Sequence, residues 1–274
     1  MKIPELKSQY IWLVVLVVYI IPVLTPIGAP FQMSDITIEM YNYIENMPEQ
    51  SIVVIGGSAV FAFDLESSAA LIACLKQMAR NNLRIVNAPF GVEAVQFEKY
   101  CVDASRVDER FGGPWKYGRD WVQLPYMPGY TAAIVAFLDD VHSAVATDVF
   151  GTPLSELPLM NDLRNYEDIA LWICPHWSFD LVVRFATGEK GIPAMYFAQA
   201  AAYAGYSPYM MAYPGMVWMT NGFLGGAQYE KLEGISGLGS AAIDAYAILS
   251  AVYLGFLILG NLTMLSKWGE EEEE

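Results

Sequence analysis

Basic residues are scarce in this sequence, which has 15 Lys and Arg against 30 Asp and Glu and a formal net charge of −15. Proteins bind a nucleic-acid backbone through clustered Lys and Arg, so this balance argues against nucleic acid as a partner. The chain ends in five consecutive Glu residues at positions 270–274. Such a run of like charges predicts a solvated acidic tail, here residues 266–274.

Cysteine and histidine are also rare, with three and two residues respectively. Cys74, Cys101 and Cys174 lie far apart without a C-x-x-C motif, which excludes a disulfide framework and a zinc spacing. One disulfide outside a membrane remains open, whereas buried free thiols fit the apolar segments around Cys74 and Cys174. We therefore predict no metal site and no cofactor.

The known catalytic motifs are missing as well. The sequence contains no G-x-S-x-G elbow, no H-E-x-x-H, no Walker motif and no complete G-x-G-x-x-G. We therefore assign no catalytic residue, and the sequence does not indicate an enzyme.

Apolar residues, in contrast, are abundant: 55% of the chain is hydrophobic and the mean hydropathy is +0.32. The excess lies in two runs, residues 10–27 without any charge and residues 243–265 with Asp244 alone. A membrane-spanning helix needs about 20 apolar residues. We predict a transmembrane helix in each run, with the lipid bilayer as the partner of both.

Alternatives remain for both runs. Lys2 and Lys7 before a short apolar stretch also fit a cleaved signal peptide, and residues 243–265 also fit a buried core helix. Lys2, Lys7 and Lys267 flank the outer ends of the two runs. By the positive-inside rule this distribution predicts a two-pass protein of the cell membrane, with residues 1–9 and the tail cytoplasmic and the intervening domain extracytoplasmic.

Between the runs, residues 31–233 alternate between strand and helix patterns. Apolar strands are expected at residues 51–55, 83–88, 120–125, 169–174 and 192–198. Helices are expected at residues 67–80, 92–102, 130–145 and 179–186. Strands this apolar are usually covered by helices on both faces. The pattern predicts an α/β domain with a parallel, doubly wound, Rossmann- or flavodoxin-like sheet.

Ligands of such sheets bind at the carboxyl ends of the strands. The residues there that could contact a small molecule are Gly57 and Ser58 after the first strand, Tyr126 after the third and His176 after the fourth. The Gly56-Gly57-Ser58 turn could offer backbone N–H groups to an anion. However, Asp64 and Glu66 follow it and would repel phosphate, so a tight structural turn is the favoured interpretation.

Residues 195–223 are rich in Met, Tyr, Trp and Phe. Such side chains are common both in domain cores and in protein interfaces, and we predict contacts through Met210, Met211 and Trp218. Residues 225–227 and 234–239 are Gly-rich and predict a flexible connection to the second apolar run. That run carries Ala247, Ala251 and Gly255 at every fourth position, a stripe that lets helices approach closely.

Four segments together resemble an uncharacterised prokaryotic family of membrane-anchored α/β domains. They are GGSAV at residues 56–60, YGRDWVQL at 117–124, GTPLSELPLM at 151–160 and GFLGGAQYE at 222–230. The resemblance implies the anchored architecture and transfers no functional residue.

Three functions follow as expectations. The first is a structural or interaction subunit that forms a homo-oligomer or a complex with other membrane proteins. The second is an extracytoplasmic small-molecule binding or sensor domain, with its ligand near Ser58, Tyr126 and His176. An enzyme acting at the same strand ends is the third.

Overall fold

The computed structural model describes residues 7–25, 27–176 and 178–271, with side chains described as far as residue 264. The chain divides into two compact units. Unit 1 comprises Met1–Phe31 and Ser240–Glu274, and unit 2 comprises Gln32–Gly239.

The described part of unit 2 is built on a six-stranded sheet. Its strands are β1 (Ile52–Ile55), β2 (Arg84–Asn87), β3 (Trp121–Gln123), β4 (Ile169–Cys174), β5 (Ala194–Ala198) and β6 (Val217–Asn221). Helix α1 (Ser8–Leu24) precedes this unit. The helices of unit 2 are α2 (Asp35–Glu45), α3 (Phe61–Arg80), α4 (Ala94–Ser105), α5 (Thr131–Asp139), α6 (Val141–Ala144), α7 (Pro158–Asn161), α8 (Phe179–Val182), α9 (Ala200–Tyr206), α10 (Pro208–Ala212) and α11 (Gly222–Glu233), and α12 (Leu238–Glu271) follows. Short 3₁₀ segments lie at Glu109–Phe111, Leu154–Glu156 and Tyr166–Asp168, and a π-helical segment at Val183–Gly188 follows α8.

The strands lie in the order β3-β2-β1-β4-β5-β6, and every neighbouring pair is parallel. This is the Rossmann order, in which the chain builds outward from β1 on one side and then returns to build from β4 on the other. The predicted parallel, doubly wound α/β sheet is therefore confirmed. The predicted strand segments correspond to β1–β5. The strand β6 was missed, because it lies inside the Met- and aromatic-rich segment that we interpreted as a contact surface.

Alternation along the strands divides the core into two layers. Val53 and Ile55 face the layer that contains Met40 of α2, Leu71 of α3 and Tyr229 of α11. Their neighbours in the strand face the opposite layer, which α5 and α8 cover with residues such as Phe137 and Phe179. Successive side chains of a strand point to opposite faces. A strand buried on both faces must therefore be apolar throughout, as the sequence pattern of β1 indicates.

Two of the predicted helices show the largest differences from the structure. Helix α3 begins at Phe61 rather than at residue 67, because the Asp64 carboxylate accepts the backbone N–H of Val60 at 2.6 Å and satisfies one donor of the first turn. The helix expected at residues 130–145 is split into α5 and α6. Asp140 separates them in an extended conformation, and its carboxylate accepts the N–H of Ser143 to begin α6.

The prediction of a flexible connection at residues 225–227 is wrong, since these residues lie within α11. Their small size allows α11 to pack closely against its neighbours. A Cβ placed on Gly226 would lie 2.6 Å from the Cβ of Ala69 in α3. The glycines therefore allow α11 to approach α3 more closely than any side chain would permit, and only residues 234–237 remain as the connection to α12.

Arg80 joins the carboxyl ends of three helices. At the end of α3 it forms ion pairs with Glu45 of α2 at 2.9 Å and with Glu233 of α11 at 3.0 Å. The hydroxyl of Tyr41 also donates to Glu233. These bonds fix α2 and α11, two helices that the sequence patterns did not predict, against α3.

Unit 1 contains the two apolar helices. Residues Leu238–Met264 of α12 are long and apolar enough to cross a membrane, whereas α1 has 17 residues and is shorter than such a span. One candidate span is therefore present among the described residues, and the second span stays a prediction. Asp244, the charge within the apolar run, is buried and accepts the backbone N–H groups of Ile27, Gly28 and Ala29 at 2.6–3.0 Å. This bond set satisfies the carboxylate and ties the segment after α1 to α12.

Candidate functional site

The sheet order places a topological switch point between β1 and β4. From β1 the chain proceeds to β2 and β3 on one side, and then crosses to β4 on the other side of β1. In folds of this type a ligand usually binds at such a switch point, beside the loops that follow the two strands.

Two glycines allow the loop after β1 to approach its neighbours. A Cβ on Gly56 would lie 2.8 Å from the backbone oxygen of Ala88, and one on Gly57 would lie 3.1 Å from Cys174 Sγ. The space beside both residues is filled by the chain itself. This arrangement corresponds to a tight structural turn rather than to an open cradle for phosphate, and it brings Gly57 against Cys174, His176 and Ser178 of the loop after β4.

Ser58 follows the glycines and is buried between two loops. A Cβ on Gly91, in the loop after β2, would lie 2.8 Å from the Cα of Ser58, so the two backbones are in direct contact. The Oγ atom of Ser58 is inaccessible to solvent and has no hydrogen-bond partner in the described part of the chain. It is therefore a buried hydroxyl that can still donate to and accept from a ligand.

His176 and Asp64 form a pair at the same place. The backbone N–H of Ser178 donates to His176 Nδ1 at 3.2 Å, which leaves the proton of a neutral imidazole on Nε2. Nε2 in turn lies 3.7 Å from Asp64 Oδ2. The side chain of Asp64 is fully buried, that of His176 is 15% exposed, and Asp64 Oδ1 has no partner among the described residues.

Burial shifts both groups towards their neutral forms. Desolvation raises the pKa of Asp64 to about 7 and lowers the pKa of His176 to about 4. Between these values the carboxyl carries a proton and the imidazole does not, so the pair is uncharged. A protonated carboxyl can donate a hydrogen bond as well as accept one, which suits it to a ligand with hydroxyl or amide groups.

Cys174 does not provide a nucleophile beside this pair. Its thiol donates to the backbone oxygen of His176 at 3.2 Å, and burial raises its pKa to about 12. The reactive form of cysteine is the thiolate, which is not populated at such a value near neutral pH. Burial therefore leaves the Cys174 thiol without activation as a nucleophile.

A second polar group lies at the ends of β2 and β3. Asn87 donates to Gln123 at 2.8 Å, and Gln123 donates to Glu98 of α4 at 3.4 Å. Burial raises the pKa of Glu98 well above its usual range, which favours the protonated form of this carboxyl. Asn87 Oδ1 and Glu98 Oε1 have no partner in the described chain. Sequence reasoning missed these residues, although a polar residue at the last position of an apolar strand is the signal that marks Asn87 and Gln123.

Polar side chains also follow β5 and end β6. Tyr196 donates to Gln199 at 2.9 Å, while Gln199 Nε2 and Thr220 Oγ1 have no partner among the described residues. The Glu66 carboxylate already has a hydrogen-bond partner within the chain, since it accepts the backbone N–H of Ala200 at 2.9 Å.

Most of the buried polar atoms without partners belong to residues near the carboxyl edge of the sheet, and we call this set the strip. Nine buried side-chain atoms lack a hydrogen-bond partner in the part of the chain that the structure describes. Seven of them belong to residues at the strand ends or in the first two turns of the following helices: Ser58, Asp64, Ser67, Asn87, Glu98, Gln199 and Thr220. Unpaired buried polar groups are rare in folded proteins, so this concentration at one edge marks the region as a functional candidate.

The predicted site residues divide between two places. Gly57, Ser58 and His176 meet at the switch point. Tyr126 instead follows β3, the edge strand, where it lines a separate groove of about 310 Å³ together with Met127, Pro128, Ala132 and other small or apolar residues.

The predicted contact residues are spread over several elements. Met211 of α10 is 87% exposed and Met210 is partly buried, whereas Trp218 lies in β6 with 6% exposure. On α12, Ala247 and Ala251 are exposed and Gly255 is partly exposed. No group of three or more His, Cys, Asp or Glu residues that could hold a metal ion occurs among the described residues.

Compared with known protein families, with curated proteins and with solved structures, the chain matches none.

Proposed function

We propose that this chain is a membrane-attached Rossmann-like domain that binds a small polar molecule at the switch point between β1 and β4. The strip of buried polar atoms without partners carries this proposal. Leaving such an atom unsatisfied costs about 1–3 kcal/mol. A ligand that pairs with several of them would recover that free energy, which supplies a driving force for binding.

The chemistry of the strip favours an uncharged ligand. Its seven residues include neither Lys nor Arg, so no cationic side chain is available to bind an anion, and burial favours the neutral forms of its two carboxyl groups, Asp64 and Glu98. The first turn of α3, where a phosphate would bind in other folds of this type, already holds the Asp64 carboxylate on the N–H of Val60. Hydroxyl and amide groups fit the available donors and acceptors best.

Ser58→Ala tests this proposal, because it removes a hydroxyl that has no partner within the described chain. We expect the variant to be as stable as wild type without ligand, since no internal hydrogen bond is lost. Its affinity for the ligand should fall about tenfold, the effect of one hydrogen bond to a buried hydroxyl. Native mass spectrometry of the protein extracted from its own membranes should show a small-molecule adduct on wild type and a reduced adduct on Ser58→Ala.

Thr187→Val is the matched control. Thr187 also carries a buried hydroxyl without a partner, but it precedes β5 and lies at the opposite edge of the sheet. The adduct should persist on this variant. Wild-type protein without an adduct, or equal loss of the adduct from both variants, would contradict the binding proposal.

An interaction subunit is the second candidate, favoured by the surface of unit 1. Ala247 and Ala251 are exposed on α12, and a Cβ on Gly255 would meet no atom within 4 Å. A groove of about 560 Å³ between α1 and α12 is lined by apolar residues that include Trp12, Leu249 and Phe256. Another transmembrane helix could pack on these features. In the same mass spectrum, a complex of several copies or with other proteins would favour this function.

We also propose the two-pass topology, with both termini cytoplasmic and unit 2 outside the membrane. It rests on the lysines that flank the two helices and on the bonds between Asp244 and the segment after α1. The three native cysteines are buried, so Met211→Cys would introduce the accessible thiol at a position that is 87% exposed. A membrane-impermeant maleimide should label this variant on intact cells and leave wild type unlabelled. Labelling of the variant only after the membrane is opened would reverse the proposed orientation.

A further inference from the structure

A groove of about 510 Å³ lies between α2 and β6, away from the switch point. Its lining includes Glu39, Asn42 and Tyr43 of α2, Met47 and Pro48 after this helix, and Trp218 of β6. Neither Lys nor Arg occurs in this lining. The lining thus contains one carboxylate, Glu39, the amides of Asn42 and Asn46, and aromatic and apolar side chains.

Two aromatic rings and a carboxylate converge in this groove. The ring centroids of Tyr43 and Trp218 are 4.8 Å apart with an angle of 42° between the planes. The indole N–H of Trp218 donates to Glu39 Oε2 at 3.3 Å, which places the carboxylate beside the rings. Aromatic rings attract organic cations, and an adjacent carboxylate adds a full opposite charge.

The charges around the groove also favour the binding of a cation. The last turn of α2 has no basic residue, so the partial negative charge at the carboxyl end of this helix is not neutralised from within it. Arg80, a basic residue that contacts the end of this helix, is bound to Glu45 and Glu233. The net charge of −15 raises the concentration of cations around the whole protein.

We propose that this groove binds a small organic cation, an alkylammonium group with a methylated or unsubstituted nitrogen. The ammonium lies against Glu39 and the rings of Tyr43 and Trp218, and the alkyl part contacts Met47 and Pro48. The amide of Asn42 is available to a polar substituent of the ligand. This proposal is independent of the switch-point ligand, because the two sites share no residue.

Choline and its neutral isostere 3,3-dimethylbutan-1-ol test the role of charge, since they have nearly the same shape. The full chain in a neutral maltoside detergent is titrated with each compound by isothermal titration calorimetry. Choline should bind about tenfold more tightly than the alcohol. Equal affinities, or no heat from choline at 100 mM or below, would overturn the proposal.

Glu39→Gln locates the site, because glutamine keeps an acceptor for the Trp218 N–H and removes only the charge. Choline affinity should fall about tenfold in this variant. Asp35→Asn removes the same charge from an exposed position one turn earlier in α2, outside the groove, and should leave the affinity unchanged. An equal decrease in both variants would indicate a diffuse electrostatic effect and would refute a built site.

Short-chain phosphatidylcholine distinguishes a lipid head group from a free solute as the source of the cation. It presents the same ammonium beside a phosphate, which Glu39 repels. We expect weaker binding than for choline, in support of a free cation. Tighter binding that also depends on Glu39 would overturn the assignment to a free solute.

Discussion

Asp64→Asn and His176→Asn should change the pH dependence of stability in opposite directions. In Asp64→Asn the remaining His176 has a folded-state pKa of about 4 and a model value of 6.5. The unfolded chain then binds more protons between these values, so stability should decrease as the pH falls from 6.5 to 4. In His176→Asn the pKa of Asp64 is about 7 in the folded protein against a model value of 3.8. The folded chain now binds more protons, so stability should decrease as the pH rises from 4 to 7.

In wild type the His176–Asp64 pair should contribute almost no pH dependence in the shared window. At pH 5.5 the folded pair holds one proton, on Asp64, and the unfolded pair also holds one, on His176. Because the proton counts are equal, the free energy of unfolding has no slope from this pair. Desolvation is the leading cause of both shifts, so each shift persists when the partner becomes Asn. Each variant should change by roughly 3 kcal/mol across its window, at about 1.4 kcal/mol per pKa unit.

The thermal midpoint of the full chain in neutral detergent, followed by circular dichroism between pH 4 and 7.5, measures these slopes. Burial also raises the pKa of Glu98, but that group is common to all three proteins and cancels in the comparison. Parallel pH profiles for the two variants would refute a neutral His176–Asp64 pair.

Gly226→Ala should destabilise unit 2, although alanine is the better helix former. The new Cβ would lie 2.6 Å from Ala69 Cβ and 3.3 Å from the backbone nitrogen of Ala70. Neither atom can move without shifting α3, so the two helices must separate. Overpacking of this kind costs about 1–3 kcal/mol, more than the gain of about 1 kcal/mol in helix propensity.

Gly205→Ala is the control, since Gly205 also lies in a helix, α9, but a Cβ there would meet nothing within 4 Å. This change should stabilise the protein by up to about 1 kcal/mol. The comparison of thermal midpoints thus predicts opposite signs for the same chemical substitution. A Gly226→Ala variant as stable as wild type would contradict the close approach of α3 and α11.

Much of the fold could be predicted because it follows from local patterns. Apolar runs separated by helical periodicity predicted β1–β5 and a parallel sheet with helices on both faces. The sequence patterns did not identify β6 and α11, because the residue types in these two elements also fit another interpretation. The residues of β6 were interpreted as a contact surface because they are large and aromatic. Part of α11 was interpreted as a linker because it contains Gly225 and Gly226, whose small size in fact makes room for neighbouring residues.

The candidate site was predictable only in part. The rule that ligands bind at strand ends identified Gly57, Ser58 and His176, which the structure brings together. Tyr126 satisfied the same rule but lies beyond β2, because strand order rather than chain order determines which ends are adjacent. From the sequence, Asp64 was interpreted only as a residue that repels phosphate. Its pairing with His176 was not predictable, because the two positions are 112 residues apart in the chain.

The sequence by itself determined the properties that depend on composition and local periodicity: the acidic charge, the apolar helices of unit 1, the parallel α/β class and the strand ends as candidate sites. Only the tertiary structure decided which of those ends meet, which polar atoms lose access to water, and which carboxyl groups therefore hold their protons. Desolvation and pairing depend on distances between remote parts of the chain, and a linear pattern does not specify those distances.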